Sequence, residues 1–194
     1  MATIEGGTKM KLRSLLCILP ALLAGTALAQ HGGHGASATP YAGLQSRDIK
    51  ALSPEEERGL LEGQGMRLAL AAELNGYPGP AHVLEHADSL QLTPEQRRAT
   101  QALMDTHKAE ARALGAQAIE AERQLDLAFA QRTVTEAELA RLTGRIGELQ
   151  AQLRAAHLRT HLQQTALLTP RQVAHYQRLR GYTTAGPGTH QGKH

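Results

Sequence analysis

Two long stretches of the chain carry apolar residues at helical spacing, and they set the expected fold. In the second, Leu139, Leu142, Ile146, Leu149, Leu153 and Ala156 recur at alternating intervals of three and four, so all six fall along one narrow helical stripe. The first runs from Thr93 to about Gln131 and has Ala99, Leu103, Ala111, Leu114, Ala118, Ala121, Leu125 and Ala128 on one side, with Gly115 as its one glycine. At 1.5 Å per residue this stretch would extend roughly 57 Å, a length normal for a helical hairpin or a dimeric bundle. Thr93 with Gln96, and Thr135 with Glu138, supply a capping residue and its partner three positions on, which marks both starts. Gly144 and Gly147 lie within the second stretch and predict either a close helix approach or a bend.

Shorter helices flank this pair. Ser53-Pro54-Glu55-Glu56 opens a helix over 54–62, weakened at Gly63 and Gly65 and resuming over 66–74. Asn75-Gly76 and Pro78-Gly79-Pro80 then enforce a turn before a short helix over 80–90. Thr169-Pro170-Arg171-Gln172 opens a last helix that reaches about Arg180 and stops at Gly181. The pattern predicts an all-α fold, a long antiparallel helical hairpin with short flanking helices.

Composition narrows the choice further. From position 30 onward there are 23 Leu against 6 Val plus Ile, which leaves few β-branched residues for the strands of a barrel, sandwich or Rossmann sheet. Lys11 and Arg13 precede an apolar stretch from Leu15 to Ala24, and Ala27-Leu28-Ala29 supplies a small-x-small site before Gln30. Residues 1–29 therefore read as a secretory signal peptide, with Met10 a candidate true start, and the expected location is the periplasm. Cleavage would remove Cys17, the only cysteine, so the product would fold without disulfides. It would also remove Lys9, Lys11, Arg13 and Glu5, which lowers the formal net charge from +3 to +1. A nearly neutral, exported chain with one mature Phe offers little to nucleic acid. Residues 30–49 read as a flexible His/Gly-rich segment, 50–182 as the helical domain and 183–194 as a flexible tail. After Glu148 there is no acid, while Arg154, Arg159, Arg171, Arg178, Arg180 and Lys193 make a basic end suited to an acidic surface or partner, or to acids earlier in the fold.

One pentapeptide recurs. Leu92-Thr93-Pro94-Glu95-Gln96 returns as Leu168-Thr169-Pro170-Arg171-Gln172, flanking the expected hairpin, with a weaker echo at Leu52-Ser53-Pro54-Glu55-Glu56. With these motifs the chain resembles the bacterial periplasmic LTxxQ family, which includes the Spy/CpxP stress chaperones and related zinc-associated and heavy-metal-sensing proteins. The likeness covers roughly residues 50–182, with AELNGYPGP at 72–80 as a departure from the Spy-like pattern. It implies a thin dimer of helical hairpins that holds unfolded envelope proteins without ATP or modulates a membrane stress sensor. The metal-responsive relatives imply binding of zinc, nickel or cobalt instead.

The candidate chemistry lies in histidine. Ten are present, and two pairs, His82/His86 and His157/His161, have the i,i+4 spacing that places both imidazoles on one helical face. His31 and His34 could add weak metal capture from the Gly-rich segment. Ordinary surface or buried, hydrogen-bonded histidines would show the same spacing. His107 falls one residue off the apolar stripe, and Met104 and Met66 are soft donors or core. The order His82-Val83-Leu84-Glu85-His86 differs from the HExxH of metalloproteases, and neither a nucleophile elbow nor a phosphate-binding glycine run is present, so no enzyme and no required cofactor are expected. For a chaperone, candidate client or interface positions are Leu68, Leu70 and Leu74, then Leu125, Leu127 and Phe129 near the hairpin tip, and Leu167 and Leu168 beside the second motif. The same side chains could instead seal a core or a dimer interface.

Overall fold

The computed structural model describes residues 39–183. The expected signal segment, His31, His34 and residues 184–194 lie outside the described residues. Six α-helices follow a short 3₁₀ turn at Leu44–Ser46: α1 (Pro54–Glu62), α2 (Leu70–Glu73), α3 (Pro80–Glu85), α4 (Pro94–Ala130), α5 (Glu136–Leu167) and α6 (Pro170–Leu179). The described residues contain no strand, and none of their helices is long and apolar enough to cross a membrane.

The long helices form the expected hairpin. Helix α4 has 37 residues and α5 has 32, and they pack along most of their length. The buried residues of α5 begin Leu142, Ile146, Leu149, Leu153 and Ala156, the stripe read from the sequence. On α4, Ala118 and Ala121 receive Ile146 and Leu149, a small-residue face against a larger apolar one, while Ala111 and Gly115 lie against Gly63 and Leu60 at the end of α1. Ala118, Ala121, Ile146 and Leu149 make one buried cluster, with Leu114 and Leu125 packed against it.

Capping fixes where the helices start. Ser53, Thr93 and Thr169 each accept a hydrogen bond from the backbone N–H three residues on, and the side-chain oxygens of Glu56, Gln96 and Gln172 each accept one from the backbone N–H of the cap. The two glutamines then do something a cap does not require. Gln96 Nε2 donates to Gln172 Oε1 at 2.9 Å and Gln172 Nε2 donates to Gln96 Oε1 at 3.0 Å. Gln96 Nε2 also reaches the Leu167 carbonyl, and Gln172 Nε2 the Leu90 carbonyl. The repeated pentapeptide is therefore a reciprocal clasp that ties the base of the hairpin to α6. Leu92 and Leu168, the first residues of the two copies, are buried beside it in a second cluster with Val83, Ala87, Leu90 and Tyr176.

Four expectations change. The helix expected over 66–74 shrinks to one turn, because Met66 (φ 42°) and Arg67 (φ 65°) take left-handed backbone conformations that break it. The helix expected over 80–90 stops at Glu85. Gly144 and Gly147 mark no close approach: α5 runs through both, and a Cβ at either would meet open space. The close approach is at Gly115, where a Cβ would lie 2.8 Å from the Leu60 carbonyl carbon. Ile49 is fully buried although it falls in the segment expected to be loose, and Lys50 Nζ pairs with Asp126 at 3.1 Å.

Candidate functional site

The α4–α5 seam changes character toward its base. Leucine and alanine give way to Thr100 and His107 on α4 and to His157, Thr160 and Gln164 on α5, all buried. Gln164 Nε2 donates to Thr100 Oγ1 at 3.2 Å, and Thr160 Oγ1 donates back to the Ala156 carbonyl at 2.9 Å. The His107 and His157 rings meet edge to face, their centroids 4.4 Å apart. Burial lowers the pKa of His107. Burial, followed by the positive charge that His107 and then His161 would carry, pushes His157 down to about 4.

A cleft of about 630 Å³ opens beside this polar seam, and its walls include Glu73, His82, Met104, His107, His157 and His161. The excursion from α2 to α3 builds the outer wall. The Asn75–Pro80 turn returns the chain onto α5, where His161 Nδ1 donates to the Tyr77 carbonyl at 2.7 Å. Because a carbonyl only accepts, Nδ1 carries a proton, so in the neutral ring the lone pair is on Nε2. A carbonyl fixes metal-binding histidines in the same way. Gly79 lies so close to this ring that a Cβ there would stand 2.8 Å from His161 Cε1.

Glu73 is the focus of the cleft, and its side chain is only 9% exposed. Its Oε1 lies 3.6 Å from His82 Nδ1, and its Oε2 lies 3.6 Å from His161 Nδ1. The buried Tyr176 hydroxyl donates to Oε1 in a short hydrogen bond, and the Tyr182 hydroxyl donates to the same oxygen at 3.2 Å. Burial, then the hydrogen bond to Glu73, raises the pKa of Tyr176, which stays a donor. Arg180 Nε stands 3.8 Å from Oε1, and Arg180 Nη2 donates to His82 Nε2 at 3.4 Å.

The donors stand in pairs, Glu73 with His82, Glu73 with His161, and His107 with His157. Among the described residues no three His, Cys, Asp or Glu side chains form a closed metal-holding group. Three buried atoms of this cleft nevertheless have no hydrogen-bond partner: Glu73 Oε2, His107 Nδ1 and His157 Nε2. Such atoms are uncommon in folded proteins, and each costs about 1–3 kcal/mol. The donor set, imidazoles with one carboxylate, suits zinc, nickel or cobalt.

Of the histidine pairs, His157 and His161 both line the cleft, whereas His82 does so without His86, which caps the end of α3. The sequence reading did not single out Glu73, Tyr176 or Tyr182, and it weighed Arg180 only as part of a basic end. Among the expected apolar patches, Leu70, Leu74, Leu127 and Phe129 are exposed, while Leu68, Leu125 and Leu167 are half-buried. Leu168 is buried in the core beside Tyr176 and offers no surface.

The fold and cleft define a helical-hairpin protein with a buried carboxylate facing histidines from two elements. A family model described as heavy-metal resistance matches residues 66–175, and the chain belongs to that family. The matched span contains Glu73 and the five cleft residues named with it. No curated protein and no solved structure matched the chain in the searches made.

Proposed function

We propose that this protein is exported and captures a divalent transition-metal ion, of the zinc, nickel and cobalt class, in the cleft at the base of its hairpin. The observation that carries the reading is the set of three partnerless buried atoms, Glu73 Oε2, His107 Nδ1 and His157 Nε2, on the walls of one cleft. Glu73, His82 and His161 would hold the ion, with His107 and His157 as a second pair of donors deeper in the seam. A bound ion would supply positive charge to a carboxylate that is almost cut off from water. Tyr77 orients His161, and Tyr176 orients Glu73 so that Oε2 stays free.

Titration of the purified chain with Co²⁺, read by its visible absorption, is expected to saturate. Glu73→Gln and His161→Ala should each weaken binding at least about tenfold, and His86→Ala should leave it unchanged. Absence of saturable binding, or equal binding in both cleft variants, removes the proposal.

One observation favours a second reading. Leu127 and Phe129 are 51% and 55% exposed at the hairpin tip, an apolar surface suited to holding unfolded envelope proteins without ATP. Suppressed aggregation of an unfolded client, lost when both become Ser, is the expected result there. Unchecked aggregation at equimolar protein would eliminate it.

A further inference from the structure

We infer that Arg180 and Tyr182 form a latch that competes with a divalent cation for the Glu73 cleft, so that metal loading releases the turn after α6. The inference rests on the metal reading given above and names how that site is regulated.

The argument begins with what Arg180 occupies. Its guanidinium stands beside Glu73 Oε1 and donates to His82 Nε2, while His82 Nδ1 is the nitrogen 3.6 Å from Glu73. A guanidinium has only donors, so His82 Nε2 gives Arg180 the lone pair that a metal ion would need. Arg180 therefore uses both the charge of the carboxylate and a free pair of the imidazole. This accounts for donors that stand in pairs and not in a closed set.

The hold is built to be weak. Arg180 Nε is buried without a hydrogen-bond partner, and its 3.8 Å approach to Glu73 is an ionic contact with no two-pronged fork. A second positive charge in the cleft would meet the guanidinium at close range, in surroundings that screen poorly. Arg180 is also the residue that caps α6, so its side chain can swing away without breaking the helix.

Tyr182 would follow. Arg180 Nη2 donates to the Tyr182 hydroxyl at 3.2 Å, the guanidinium lies 5.6 Å from its ring centroid, and the same hydroxyl donates to Glu73. Gly181, at φ 69°, lets the chain turn back so that Tyr182 N–H reaches the Gln177 carbonyl at 2.9 Å. Once Arg180 leaves, the turn keeps these backbone bonds, the edge of the Val83–Tyr176 cluster and the single Tyr182–Glu73 hydrogen bond, whose acceptor a bound cation would share.

Linkage makes the coupling reciprocal: whatever loosens the latch tightens the metal site. Two measurements test it with Zn²⁺ alone on the full chain. Arg180→Gln, which keeps length but not charge, is expected to bind Zn²⁺ about fivefold or more tightly than the unsubstituted chain. In the unsubstituted chain, saturating Zn²⁺ is expected to speed amide exchange at Gly181–Thr183. Equal or weaker binding by Arg180→Gln overturns the latch, as does exchange that is unchanged or slowed by Zn²⁺. If Glu73→Gln abolishes Zn²⁺ binding while Arg180→Gln changes nothing, the latch alone fails. If no variant binds Zn²⁺, the metal reading fails and the latch with it.

Discussion

Replacing Gly115 by alanine is expected to destabilise the fold by about 2–3 kcal/mol, although alanine is the better helix former. The new methyl would lie 2.8 Å from the Leu60 carbonyl carbon and 3.2 Å from its Cα, and the obstruction is backbone, so no side-chain rotation relieves it. Either α1 lifts from α4 or α4 bends. Lifting α1 would open the neighbouring contact where Gly63 meets the Lys108 carbonyl and the Ala111 side chain. The expected reading is a melting temperature lower by roughly 5–12 °C. Gly144→Ala is the internal control: the site is helical and open, so the same change should add about 0.5–1 kcal/mol. Unchanged or raised stability in Gly115→Ala would show that α1 and α4 do not touch backbone to backbone.

The second large effect is on acid stability. His157 is buried, and its pKa is pushed down from the ordinary 6.5 to about 4. Above about pH 6.5 it is neutral in the folded and unfolded chain alike, and its contribution is fully present. As pH falls below that, the unfolded chain takes up a proton that the folded seam rejects. Stability drains away until folded His157 itself protonates near pH 4, where the loss levels off. The loss from His157 should be roughly 3 kcal/mol, and His107 shifts in the same direction through its own burial. Urea unfolding at stepwise pH checks this. His157→Gln should flatten the slope between pH 6.5 and 4, and an unaltered slope would place the acid sensitivity elsewhere.

What the sequence reveals and hides divides along a physical line. Caps, helix propensity and the three-four stripe act over a few residues, so Ser53, Thr93, Thr135 and Thr169 mark true helix starts, and Leu142 to Ala156 mark the true seam. Local propensity misled where the backbone turns against it: Met66 and Arg67 sit in an apolar run that reads as helix but adopt positive φ. The glycines show the same limit. Gly115 carries a close contact and Gly144 none, and only the path of α1 distinguishes them.

The site was half legible. The i,i+4 rule finds His157 and His161, which share a helix, but His86 has the same spacing and lies beyond the end of α3. Glu73 could be suspected only as a lone acid among Met66, Leu68, Leu70 and Leu74. Its partner Tyr176 is 103 positions away, and no local pattern joins them. Arg180 belongs to a basic run that suggests either an acidic partner in another molecule or acids earlier in the fold, and its ionic contact is with such an acid, Glu73.

The glutamine clasp has a mechanical consequence. It gathers the approach to α4, the end of α5 and the start of α6 at one place, so the hairpin is gripped there. At the opposite end Lys50 braces α4 at Asp126, and beyond that brace the last turn of α4 passes into α5 through bonds such as Gln131 N–H to the Leu127 carbonyl and Thr133 N–H to the Ala128 carbonyl. The rod is thus a cantilever. On that footing a load on Leu127 or Phe129 is expected to move the far end more than the histidine-lined recess by the grip, a difference that amide exchange at 127–135 against 157–164 would show.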